Sequence, residues 1–194
     1  STGRAYIFYG GASMDNATDV TMTGEASNIY FGYSVSSAGD VNGDGYSDVI
    51  VGANNYSGVT GRAYIFFGGS SMDNAADVTM TGETIANNFG ASVSSADING
   101  DGYSDVIVGA YGYSGGTGRA YIFYGGLSMN IVADVTMTGE ATNNAFGFTV
   151  SSTGDVNGDG YSDVIAGAYS YNTSLGRAYL YYGSAISVKP ILNY

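Results

Sequence analysis

The chain has 194 residues, 44% of them hydrophobic, which is enough for one domain with a sizeable core. Its net charge of −12 leaves no basic face for nucleic acid or for an anionic membrane surface, and no stretch approaches the ~18 apolar residues of a membrane span. There is no Cys and no His, so zinc chemistry and the usual nucleophile–base pairs are not expected.

In chain order the first elements are two short strands, "GRAYIFYG" from Gly3 and "DVTMTGE" from Asp19. β-branched and aromatic residues alternate there with small or polar ones. A full unit follows: "FGYSV" from Phe31, the acidic loop "DVNGDGYSD" (40–48), then "DVIVGA", "GRAYIFFG" from Gly61 and "ADVTMTG". The same order returns from Phe89 and from Phe146, and the GRAY segments recur at intervals of 57 or 58 residues. No run keeps apolar residues at helical spacing beyond one turn.

The expected fold is therefore all-β: propeller-type repeats of four-stranded antiparallel blades, about three and a half of them. The units are 1–30 (partial), 31–88, 89–145 and 146–183, within one repeat region, 1–183. Gly32, Gly90 and Gly147 are expected at a crowded place where no side chain fits. The last segment, "SAISVKPILNY" (184–194), breaks the pattern: Ile186 and Val188 alternate with polar neighbours ahead of the only Pro. It reads as a divergent strand, a linker, or a strand donated to a neighbour. Such a chain forms an incomplete ring unless other chains or further sequence complete it.

Nine of the 17 acidic residues sit in three near-identical loops. Hard oxygen donors stand at loop positions 1, 3, 5 and 9, with Gly at 6 for a sharp turn and Tyr at 7 offering its carbonyl. That pattern suits Ca²⁺; Mg²⁺ keeps more of its water and fits less well. The loop is not an EF-hand, because position 12 is Val51, Val108 or Ala166 and the flanks read as strands.

The order FG, D-x-N-x-D-G-x-x-D, "VGA" resembles the FG-GAP repeats of integrin α-chain β-propellers and their bacterial surface relatives. The resemblance implies three Ca²⁺ sites: Asp40, Asn42, Asp44, Tyr46 and Asp48; Asp97, Asn99, Asp101, Tyr103 and Asp105; Asp155, Asn157, Asp159, Tyr161 and Asp163. One departure stands out, since the Pro of the "GAP" motif is replaced by Asn54, Tyr111 and Tyr169.

Four of the five basic residues are Arg4, Arg62, Arg119 and Arg177, one per GRAY, and Glu25, Glu83 and Glu140 recur in "TGE". Arg–carboxylate stitches between adjacent sheets are the expected use. Tyr56, Tyr113 and Tyr171 are candidates for stacking on sugars. Asn16, Asn55 and Asn172 begin N-x-S/T triplets.

The function expected is that of a non-enzymatic, extracellular or cell-surface, calcium-binding repeat protein with a structural or adhesive role. Its expected partners are other copies, in a self-assembling filament, or other surface proteins. Glycan binding, or service as a non-catalytic propeller of a larger secreted protein, are the alternatives. The opening "STGRAYIFYG" is no signal peptide, so export would rely on a signal outside these residues.

Overall fold

The computed structural model describes residues 2–185 and 189–191. The first two strands, β1 (Arg4–Ile7) and β2 (Val20–Thr23), pair as a two-stranded antiparallel sheet. Three four-stranded antiparallel sheets follow, each in sequence order. They are β3 (Ser34–Gly39) to β6 (Val78–Thr81), β7 (Ser92–Ala96) to β10 (Val135–Thr138), and β11 (Phe146–Gly154) to β14 (Lys189–Ile191). The central strands are β4 (Asp48–Ala53) with β5 (Arg62–Phe66), β8 (Asp105–Ala110) with β9 (Arg119–Phe123), and β12 (Asp163–Ala168) with β13 (Arg177–Tyr182). Each unit is a propeller blade.

The apolar content of the "DVIVGA" strands follows from the stacking of sheets. A blade buries both faces, so alternation between apolar and polar gives way to a continuous apolar run. Ile50 and Ile65 pack towards the following blade with Phe89, Val108 and Tyr121. Val51, Tyr64 and Phe66 of the same strands pack towards β1 and β2, with Ala5, Met22 and Phe31. The seam between the last two blades repeats this arrangement with Ile107, Ile122, Phe146 and Val164.

The Phe of each FG pair serves as a plug. Phe31 lies edge-on to Tyr64 and Phe66, with centroids 5.4 and 6.2 Å apart. Phe89 makes the same contacts with Tyr121 and Phe123, and Phe146 with Tyr179 and Tyr181. Such T-shaped pairs add roughly 0.5–1.5 kcal/mol beyond their buried area. The FG pair was expected to open the first strand. Phe146 does open β11, with a register shift just after it, whereas Phe31 and Phe89 sit ahead of β3 and β7; in all three the following Gly takes a positive φ (85°, 81° and 76°). A Cβ at Gly90 would collide with the Arg62 carbonyl, so the crowding comes from the preceding blade's backbone.

Between the second and third strands of each full blade lies a single turn (56–59, 113–116, 171–174), with positive φ at Ser57, Ser114 and Asn172. These turns are too short and irregular to pack as helices. In the last blade, β14 pairs with β13 at Leu180↔Ile191, Tyr181↔Pro190 and Tyr182↔Lys189. The expected alternation at Ile186 and Val188 lies outside the described residues. No helix among the described residues is long and apolar enough to cross a membrane.

Candidate functional site

Each acidic loop joins the first and second strands of a blade, so all three lie at one end of the stack. Within a loop, the first Asp organises the turn. Asp40 accepts hydrogen bonds from the backbone N–H groups of Gly43, Asp44 and Gly45, at 2.7–3.1 Å. Asp97 and Asp155 do the same for Gly100, Asp101 and Gly102 and for Gly158, Asp159 and Gly160. These amide bonds, led by that of Gly160, hold the Asp155 carboxyl below its usual range. Positions 3 and 5 are joined, since Asn42 Nδ2 donates to Asp44 Oδ2, as Asn99 does to Asp101 and Asn157 to Asp159. The Asp at position 5 in turn accepts from the Tyr N–H at position 7.

The ninth residue behaves differently. Asp48, Asp105 and Asp163 are fully buried, with relative exposure 0%. Asp48 accepts from Val41 N–H in its own loop (2.8 Å) and from Gly68 N–H at the exit of β5 (2.7 Å). Asp105 accepts from Ile98, Asn99 and Gly125, and Asp163 from Val156 and Gly183. The carboxylate therefore fastens the acidic loop to the third strand of its blade. Burial pushes the Asp48 carboxyl up and that of Asp105 up to about 6, against the amide bonds that pull the other way.

The structure thus brings positions 1, 3, 5 and 7 into one hydrogen-bonded turn. It gives position 9 to the blade interior. Among the described residues no group of three or more His, Cys, Asp and Glu side chains stands close enough together to hold a metal ion. The donor set nevertheless fits a hard cation. Each carboxylate oxygen has two lone pairs, and Asp48 uses one on each oxygen for its two amide bonds. The remaining pairs, with the exposed oxygens of positions 1, 3 and 5, are all hard donors.

Adjacent loops are linked, which nothing in the spacing of one loop foretells. Ser104 N–H donates to the carbonyl of Asp40, and Ser162 N–H to that of Asp97. The Tyr103 ring covers Gly43, and the Tyr161 ring covers Gly100, where an added Cβ would strike it. The position-7 Tyr therefore acts through its ring on the preceding loop.

At the opposite strand ends the expected Arg–Glu stitches are present. Arg62 pairs with Glu25, Arg119 with Glu83 and Arg177 with Glu140, at 2.5–2.9 Å, each joining one blade to the one before. One face of each Tyr offered for sugar stacking is already taken. The guanidinium groups lie over the rings of Tyr56, Tyr113 and Tyr171, 3.7–3.8 Å from the centroids. Cation–π stacking holds each Arg flat while its tip reaches the Glu.

Sequence reasoning passed over one more set of carboxylates. Asp19, Asp77 and Asp134 accept from the N–H of Tyr9, Phe67 and Tyr124 and so close the hairpin between third and fourth strands. Their recurrence in every "DVTMT" was the signal available.

Comparison with known proteins rests on the same residues. The FG-GAP repeat model matches residues 31–66, 89–123 and 146–181, together more than half of the chain. The chain belongs to the FG-GAP repeat family. It is 36% identical over 161 residues to integrin alpha-IIb of Mus musculus, covering 75% of this chain and 15% of that protein. It is 30% identical over 203 residues to integrin alpha-PS2 of Drosophila melanogaster, covering 92% of this chain and 14% of that one. Integrin alpha-5 of Xenopus laevis is 30% identical over 167 residues, with 79% and 15% covered. The chain thus spans about one seventh of the length of the curated relatives it matches. The three matched FG-GAP segments each run from the Phe plug, through the acidic loop, to the third strand.

The division of labour within a loop is testable in chelator. Asp105→Asn sets an amide N–H₂ against backbone donors and should cost about 3 kcal/mol in urea unfolding. Asp101→Asn, at an exposed position of the same loop, should cost less than ~1 kcal/mol. Equal losses from the two would show that the ninth residue is not special to the fold.

Proposed function

We propose that this chain is a non-catalytic run of FG-GAP blades, stabilised by Ca²⁺ and adhesive at the cell surface. The observation that carries the reading is the buried ninth carboxylate: Asp48, Asp105 and Asp163 keep spare lone pairs at the base of an all-oxygen loop, in three successive blades. The ligands would be Asp40, Asn42, Asp44, Tyr46 (through its carbonyl) and Asp48; Asp97, Asn99, Asp101, Tyr103 and Asp105; Asp155, Asn157, Asp159, Tyr161 and Asp163. When bound, the ion offsets like charges held in one loop and pins the loop to its blade. Three ions would bring the net charge of −12 to about −6.

Extracellular Ca²⁺ modules bind at ~10⁻⁴–10⁻³ M, so the loops would be filled outside a cell and largely empty in cytosol. At ten times the dissociation constant each site adds about 1.4 kcal/mol by mass action. Excess chelator should therefore lower the melting temperature, and added Ca²⁺ should restore it. An unchanged melt in chelator would contradict occupied structural sites.

The relatives' names carry the adhesive, cell-surface part of the proposal. Catalysis has no support in the residues, since the carboxylates are engaged in loop turns, hairpin closure and Arg stitches. The face of the first sheet supports association with further repeats. Tyr6 and Phe8 are 51% and 42% exposed where their equivalents Tyr64 and Phe66 are buried. We assign this face to self-association, and sedimentation should show mass rising with concentration. Monomers throughout would contradict it.

A further inference from the structure

The strand ends opposite the acidic loops carry a feature that the cation reading does not use. β8 ends at Ala110 and β12 at Ala168, and the next residues are Tyr111 and Tyr169, the positions where the family motif has Pro. The residue after the FG pair is Phe148 in the last blade and Tyr33 in the first four-stranded one. Three of these side chains meet. The Phe148 ring lies 4.5 Å from Tyr169 and 5.3 Å from Tyr111, both tilted by nearly 60°. Burial raises the Tyr111 hydroxyl pKa, and the nearby Tyr33 and Tyr169 add to the effect.

The blade fold does not require this cluster. The second sheet has Asn54 at the position of Tyr111, and the third has Ala91 at the position of Phe148. Nor is the cluster sealed: Tyr33, Phe148 and Tyr169 are 52%, 37% and 56% exposed, unlike the aromatic rings of the blade seams. Tyr33 and Phe148 line a groove of about 300 Å³ along the first strands, together with Ser34, Ser92, Thr149 and Val35. Among the described residues no charged side chain lines it.

We infer that this cluster and groove bind a neutral carbohydrate. Ring faces of Phe148, Tyr169 and Tyr33 offer flat apolar surfaces for the C–H faces of a pyranose. The phenol and Thr149 hydroxyls beside them both donate and accept, as sugar hydroxyls do, and Ser34 Oγ, which donates to the Gly90 carbonyl, still accepts. An anionic ligand finds no cation in the groove and a chain of net charge −12. A long ligand with alternating apolar faces and hydroxyls matches a groove of this lining better than a single cationic side chain does. The site is separate from the acidic loops, so it stands or falls independently of Ca²⁺.

The test is an NMR titration of the 194-residue chain with neutral oligosaccharides of glucose, mannose, galactose and N-acetylglucosamine, each to millimolar concentration. At least one should shift the ring resonances of Tyr33, Tyr111, Phe148 and Tyr169. Tyr169→Ala and Phe148→Ala should each weaken that binding about tenfold, while the exposed Tyr9→Ala leaves it unchanged. Tyr169 is more than half exposed, so its variant keeps the fold and carries the test even if Phe148→Ala does not. The proposal is overturned if no sugar shifts these rings, or if binding survives Tyr169→Ala undiminished. It is equally overturned if only an oligoarginine peptide, run in parallel, perturbs the cluster.

Discussion

Three carboxylates carry the architecture. A buried charge is costly unless it is hydrogen-bonded or paired, and Asp48, Asp105 and Asp163 are each fully buried. Their amide partners come from two places at once: the residue after the loop's first Asp, and a Gly just beyond the third strand. One side chain thus sets the height of the loop relative to the sheet. Once the loop is set, its Ser and Tyr at positions 8 and 7 fall against the loop of the preceding blade. The spacing between blades at that end follows from this contact.

The other end is held by different chemistry. There an Arg lies on a Tyr of its own blade and reaches a Glu of the one before. These pairs are partly exposed and each is worth ~0–1 kcal/mol as an ion pair, so they align blades more than they stabilise them. Between the two ends the aromatic plugs and β-branched strands supply the burial. Beyond the ends of β8 and β12 stand Tyr111 and Tyr169, where this chain departs from the family pattern, with Phe148 packed against both.

Most of the fold was legible because the repeat shows each strand several times. Alternation in "GRAYIF", the apolar run in "DVIVGA" and Gly or Asn at every turn agree on strands, and the Arg–Glu stitch could be guessed from equal periodicity. What a single repeat could not reveal is any contact between equivalent elements of neighbours. Tyr103 over Gly43, or the Ser104 N–H on the Asp40 carbonyl, depends on how blades stack, and spacing along the chain carries no such information. The nine loop acids also looked alike in sequence. The structure separates them because position 9 begins a strand and is drawn into the interior, whereas positions 1, 3 and 5 remain on a turn.

The proposed hard cation closing each loop above its buried Asp is tested directly by Tb³⁺, which takes the same oxygen donors. Excitation of Tyr46, Tyr103 and Tyr161, one in each loop, should sensitise Tb³⁺ emission that saturates at three ions per chain and is displaced by Ca²⁺. Absence of sensitised emission, or emission that Ca²⁺ does not displace, would contradict the account.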